Sequence, residues 1–380
     1  MPYDVIVVGA GAMGSAAAYH LARGGHRVLA LDAHTPPHRL GSTHGYTRII
    51  REAYFEHPLY VPLVRRAYEC WAALEREWGR TLFVPTGGLM IGPEDGVLVS
   101  GARASALEHG LPHRILDPGE VRREYPQFHL AEGMVALHEE RAGILFPETC
   151  VEAALSLARG HGAEVRCGEP VLEWTAGDTG VRVRTAEGTY RGERLVLAAG
   201  PWMPELLGEL RLPLGVERQV FHWFRPVEHP EWFGPERFPI ALWEYAPGRM
   251  FANFPDFGEG VKAQIHHEGE ATTPGTVSRE TTPEEEARIR ALVARHLPAA
   301  NGELRETSVC LYTNTPDDHF VLDRHPASPR VVVASPCSGH GFKFASAIGE
   351  ALAALALEES YPLDLSPFGV GRFGAAIGTG

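Results

Sequence analysis

Three short stretches carry cations in patterns that suit a small anion. Thr47-Arg48-Ile49-Ile50-Arg51 sets two guanidinium groups three residues apart, which share a side if the stretch is helical. Val261–His266 alternates. As a strand it would put Lys262, Gln264 and His266 on one face and Val261, Ala263 and Ile265 on the other. Lys343 closes the glycine-rich turn that begins Ser338-Gly339-His340-Gly341-Phe342. Arginine offers a planar fork that matches a carboxylate, and lysine a compact point charge. A pocket where these groups converge would bind a carboxylate and hold positive charge beside a cofactor. Taken singly, each cation also reads as an ordinary surface charge, and His340 as a turn residue.

A second pattern concerns phosphate. Gly9-Ala10-Gly11-Ala12-Met13-Gly14 follows the apolar run Tyr3–Val8 and leads into Gly14, Ala17, Ala18 and Leu21 at helical spacing. Gly24-Gly25 ends that helix, and a second strand, Arg27–Leu31, closes on Asp32. In this setting Gly9 makes the tight turn, Gly11 lets backbone approach a pyrophosphate, and Gly14 lets helix meet strand. The helix N-terminus attracts the phosphates. Asp32 can accept from ribose hydroxyls, and its charge disfavours a 2′-phosphate. This fingerprint alone leaves nicotinamide and flavin dinucleotides open. A second helix start at Gly341-Phe342-Lys343 leans towards flavin, because its positive end can face the ring's N1/C2=O edge. A serine-hydrolase elbow fits badly, since Pro336 rather than glycine stands two residues before Ser338.

The five cysteines, Cys70, Cys150, Cys167, Cys310 and Cys337, are widely spaced and contain no CxxC. That favours reduced thiols in the cytosol over a disulfide framework. Cys310 sits where a strand runs towards Pro316-Asp317-Asp318, and on composition alone it reads as a small buried hydrophobe. The nineteen histidines show no zinc-site spacing, so no metal is expected.

These residues need elements to place them. Residues 56–79 read as a helix with Tyr60, Leu63, Val64, Ala67, Trp71 and Leu74 on one face, and residues 149–160 as another. Strands follow at 164–167 and 171–173, then a hairpin through 177–189 and a buried strand over 194–199. Near residue 215 the texture changes to aromatic-rich alternating strands at 218–224, 240–245, 249–253 and 261–267, then a charged helix over 282–296. From residue 330 the α/β texture returns, with a strand at 331–334 and Phe344, Ile348, Leu352 and Leu355 lining a helix. The expected fold class is α/β. A discontinuous Rossmann-like dinucleotide domain would use 1–80, 141–214 and 316–380. A substrate domain on a mostly antiparallel sheet would use 81–140 and 215–315.

Composition narrows the partners. Of 380 residues, 44% are apolar and 22% charged, enough for a substantial core. A net charge of −13 argues against nucleic acid, which needs a basic face, but not against a small anion held by a local cation cluster. No stretch reaches the ~18 apolar residues of a membrane span. The opening run lacks the basic region of a signal peptide, and Gly378-Thr379-Gly380 matches no targeting signal. The expectation is a cytoplasmic protein with no membrane partner.

The chain resembles the monomeric sarcosine oxidase / N-methyltryptophan oxidase family of flavoprotein amine oxidases. The matching stretches are Val7–Ser15, Gly45–Arg51 with Tyr54, Gly143–Phe146, Val309–Thr313 with Asp318–Phe320, and Ser338–Phe344. The resemblance implies FAD, attached through a cysteine thioether to the 8α-methyl of the ring, with Cys310 at the matching position and Tyr312 following it. It implies a substrate-carboxylate pair, Arg51 and Lys343, and a basic residue for oxygen activation, Lys262. Arg48 and His266 match two further active-site positions. The implied cofactor contacts are Gly9, Gly11, Ala12, Met13, Gly14, Asp32, Ser42, Thr43, Arg48, Val171, Gly200, Cys310, Gly339, Gly341, Phe342 and Lys343.

By the same resemblance a monomer would take a hydride equivalent from a carbon beside a secondary amine nitrogen. The imine would hydrolyse to amine and aldehyde, and oxygen would leave as hydrogen peroxide. Small-substrate members carry a tyrosine two residues before the Phe-Pro pair. This chain has Ala252 there, which implies room for amino acids bulkier than sarcosine. Other readings stay open: a flavin dehydrogenase passing electrons elsewhere, an oxidase of a cyclic imino acid, glycine or a D-amino acid, an NAD-dependent dehydrogenase, and a non-catalytic nucleotide binder.

Overall fold

A computed structural model describes residues 2–208 and 210–376; Gly378-Thr379-Gly380 lies outside them. Five parallel strands lie in the order Glu164–Cys167, Val28–Asp32, Tyr3–Val8, Thr189–Leu197 and Ser328–Ser335, and the apolar stretches of the inner ones, Val5–Val8, Val28–Leu31, Leu195–Leu197 and Val331–Val333, are buried. The first strand shows why its buried part, Val5–Val8, must be apolar. Val5 and Val7 enter a core with the helix Ala12–Arg23, while Ile6 and Val8 enter another with Val181, Val183 and Met203. Val321–His325 adds an antiparallel edge, and Val171–Gly177 with Gly180–Thr185 forms a ribbon on the first half of Thr189–Leu197. The helices Ala12–Arg23, Pro147–Gly160 and Ala345–Leu357 pack side by side.

Among the described residues, nine strands form a second sheet. Its order is Ala271–Thr272, Gly215–Phe224, Val261–His266, Arg249–Phe254, Ile240–Ala246, Gly88–Pro93, Met134–Glu139 and Arg114–Leu116, and Leu304–Asn314 also pairs with Gly215–Phe224. The pairing is antiparallel except between Ile240–Ala246 and Gly88–Pro93. Alternation gives this sheet two faces. Trp243, Phe251 and Ala263 pack in a core with Ile289 and Val293 of the helix Pro283–His296, which starts with a Thr282/Glu285 capping box. Leu242, Ala252 and Phe254 join the core that contains the Ala12–Arg23 helix.

Two local expectations change. The helix expected from residue 56 starts at Tyr60, because Pro58 disfavours helical backbone at His57. Arg48–Ile50 is a strand, paired with Gly143–Leu145, and not a helical turn. Arg48 and Arg51 reach the same space because the chain leaves the strand before Arg51. No described helix is long and apolar enough to cross a membrane.

Candidate active site

A cavity of about 660 Å³ runs from the first glycine turn to the Ser338–Lys343 turn. At its first end, Gly9 takes a left-handed φ of +89°, and a side chain there would meet Ala198 O at 2.6 Å. Gly14 touches the Gly9 carbonyl so closely that no Cβ fits, which brings the helix onto the strand. Gly11 faces open space and caps a helix whose first turn has no acidic residue and no side-chain cap. Its N–H groups therefore remain for an anion. Asp32 accepts from Ala10 N and His34 N at 2.8 Å each and lines the cavity, with lone pairs left to accept further bonds. Ala12, Met13, Ser42, Thr43, Val171 and Gly200 also line it. A glycine cradle, an uncapped helix start and an acid at the next strand's end fit the adenosine diphosphate half of FAD.

The far end is cationic. Arg51 is 1% exposed and donates through Nη2 to both oxygens of Glu56, at 2.8 and 2.7 Å, and through Nη1 to Ala53 O. Burial would raise the Glu56 carboxyl, but the Arg51 charge and its neighbours hold it below the usual range. Lys343 donates to His340 O at 2.7 Å and to the Tyr54 hydroxyl at 3.3 Å. Burial, with Arg51 beside it, lowers Lys343 to about 7 against the pull of Glu56. Trp71 Nε1 donates to the Lys343 carbonyl and fixes its backbone. Arg51, Glu56, Lys343, His340, Gly339, Gly341 and Phe342 all lie on the cavity wall.

The sheet supplies the opposite wall. Lys262, Gln264 and His266 share a face, as the alternation predicts, but at different depths. His266 lines the cavity, bonds Tyr312 Oη through Nδ1 at 3.1 Å, and is pushed well below the usual histidine range by burial and by His267. Gln264 also donates to Tyr312 Oη. Lys262 sits one layer back, donating to Gly45 O and Thr47 O at 2.9 Å each, with the Phe221 and Phe254 rings 4.2 and 4.4 Å from Nζ. Burial and the Arg48 charge push it well below the usual lysine range.

Cys310 lies behind the wall too. Its Sγ is 3.7 Å from Arg48 Nη2 and 3.5 Å from Ser42 O, and both of those residues line the cavity. Cys310 and Tyr312 point to the same side of their strand. Of the residues expected at the site, the structure thus puts all but Gly14, Lys262 and Cys310 on the cavity wall, and these three directly behind it. Sequence reasoning missed two acids. Glu56 stands only five residues from Arg51, a spacing that charge pairing could have flagged. Glu139 accepts from Glu52 N and Ala53 N at 2.7 Å each, holding the loop behind Arg51, and no sequence signal marks it.

A dinucleotide cradle opening into a cavity whose far end carries buried Arg51 and Lys343 suits an oxidoreductase that works with a bound cofactor. The chain belongs to the FAD dependent oxidoreductase (DAO) family, whose profile matches residues 4–355. It is 43% identical to monomeric sarcosine oxidase of Streptomyces avermitilis, over 98% of each chain. It is 34% identical to N-methyl-L-tryptophan oxidase of Yersinia pestis, over 98% of this chain and 100% of that one. Among solved structures, NikD, an unusual amino acid oxidase essential for nikkomycin biosynthesis, superposes with a TM-score of 0.85 at 28% identity over 97% of each chain. An L-proline dehydrogenase from P. horikoshii shares the fold, with a TM-score of 0.85 at 22% identity over 98% of each chain.

Proposed function

We propose that the protein oxidises a secondary, N-methyl amino acid with oxygen as acceptor, giving an imine and hydrogen peroxide. The observation that carries this reading is the placement of buried Lys343 and Arg51 on the wall of the cavity that begins at the Gly9–Gly14 cradle. FAD, which the Gly9–Gly14 cradle and Asp32 would hold, would supply a two-electron acceptor for the hydride equivalent and for its return to oxygen.

Lys343 and Arg51 hold the substrate carboxylate and fix its register, a proximity effect. Glu56 is the counter-ion of Arg51. His266, kept neutral, accepts from the amine N–H without repelling the substrate. Lys262 holds positive charge where oxygen is reduced. Cys310 carries the cofactor as a thioether, helped by the Arg48 charge beside it. Among the described residues, those within 1–80, 141–214 and 316–380 form the cofactor domain, and those within 81–140 and 215–315 the substrate domain. The working unit is a monomer in the cytoplasm.

Ala252 widens the substrate end. In register it lies between Leu242 and Gln264, and all three line the cavity. Met250 and Phe254, two positions away on the same strand, continue an apolar wall. Substrates with a side chain larger than that of sarcosine fit this wall. A peroxide assay over secondary and primary amino acids tests the reading. Turnover restricted to primary amines would refute it.

A further inference from the structure

Tyr54 is fully buried and touches both cations of the carboxylate end. Its ring lies 4.4 Å from the Arg51 guanidinium carbon, and its hydroxyl accepts from Lys343 Nζ at 3.3 Å. The hydroxyl meets His340 Nδ1 at 2.6 Å, much closer than the His340 carbonyl at 3.4 Å. At the other side of the imidazole, Nε2 lies 3.0 Å from the backbone carbonyl of Asp318. Asp318 has a left-handed φ of 56° in the turn that follows the Cys310 strand.

The direction of every bond in this chain follows from its last member. A carbonyl only accepts, so Nε2 carries the ring proton of neutral His340. Nδ1 must then accept, so Tyr54 donates to it. The Tyr54 oxygen is left to accept, and Lys343 is its donor. Lys343 therefore has two N–H groups committed, to Tyr54 Oη and His340 O, and a third for the cavity.

We propose that Tyr54 and His340 are positioning residues that hold Lys343 as a donor towards the cavity and thereby set the pH above which a carboxylate no longer binds. This rests on the reading of Lys343 as a carboxylate site. The other groups facing Lys343 are Arg51, which opposes its charge, Glu56, which supports it, and His266, whose own charged form Lys343 disfavours. Burial holds His340 down to about 3 and His266 well below the usual range, so neither gains a proton near neutrality. Lys343, lowered to about 7, does titrate there. The ammonium is the binding form, so affinity falls as the pH rises through that midpoint. Loss of the Tyr54 lone pair removes a partner of the ammonium and moves the midpoint down.

The test is calorimetric titration of the FAD-loaded protein with acetate across the pH range. Tyr54→Phe keeps the ring against Arg51, Tyr60 and Phe344. Its binding midpoint is expected about one pH unit lower, which is about tenfold weaker acetate binding on the alkaline side. His340→Leu turns the Tyr54 proton loose towards Lys343 and shifts the midpoint the same way. His340→Asn, whose side-chain oxygen can replace Nδ1 as acceptor, restores it. A midpoint unmoved in Tyr54→Phe and His340→Leu overturns the positioning role. Lys343→Met reports separately: if acetate still binds with the same alkaline loss, the carboxylate reading of Lys343 fails.

Discussion

Cys310 Sγ lies 3.7 Å from Nη2 of Arg48, whose guanidinium also donates to Ser42 O at 2.8 Å. A thiol attacks as its thiolate, so a cation beside it matters. Burial raises the thiols of both Cys310 and Cys337, the latter to about 12. Arg48 and Lys262 oppose the rise at Cys310, whereas a Thr313 hydrogen bond opposes it at Cys337. Acid precipitation of the wild-type protein should therefore leave the yellow colour in the pellet. Cys310→Ala should release it to the supernatant, and colour retained in the pellet of that variant would place the attachment elsewhere.

Lys262 is surrounded by two carbonyls and aromatic faces, so a neutral side chain of similar length can occupy its site. Lys262→Met should slow reoxidation by oxygen about 100-fold or more, the scale on which removal of one preorganised group acts. Substrate affinity should change little, because Lys262 sits behind the wall. Stopped-flow mixing of the substrate-reduced protein with oxygenated buffer measures this. Unchanged reoxidation would remove Lys262 from oxygen chemistry.

Ala252→Tyr would fill the gap between Leu242 and Gln264. We expect kcat/KM for N-methyl amino acids with large side chains to fall about tenfold or more, while sarcosine is kept, in line with the 1–3 kcal/mol that pocket shape gives. Kinetics with a size series of N-methyl amino acids decide it. A wild-type protein that already prefers sarcosine strongly would contradict the widened wall.

Glu139→Ala leaves the buried N–H groups of Glu52 and Ala53 without their acceptor. The expected cost is about 2 kcal/mol or more. Because these residues follow Arg51, KM for the amino acid should rise more than kcat falls. Urea unfolding and steady-state kinetics read the two effects.

What could be read from sequence was what acts locally. Gly9, Gly11, Gly14 and Asp32 work through backbone turns and one strand end, so their type and spacing suffice. Alternation placed Lys262, Gln264 and His266 on one face, yet not their depth, which depends on Phe221 and Phe254 packing in front of Lys262. The Arg48/Arg51 pair reaches one cavity because the chain leaves a strand, and not through a helical turn. Tyr54 and His340 stand 286 residues apart, and only the packing of the loop after Arg51 against the Ser338–Lys343 turn brings them together. No periodicity in either segment announces that contact.

The most direct measurement mixes the purified yellow protein, without air, with an N-methyl amino acid and then admits oxygen. The account predicts bleaching by the amino acid, recovery of colour in air, and peroxide equal to the amine product formed. Colour unaffected by any secondary amino acid, or bleaching that oxygen fails to reverse, would contradict it.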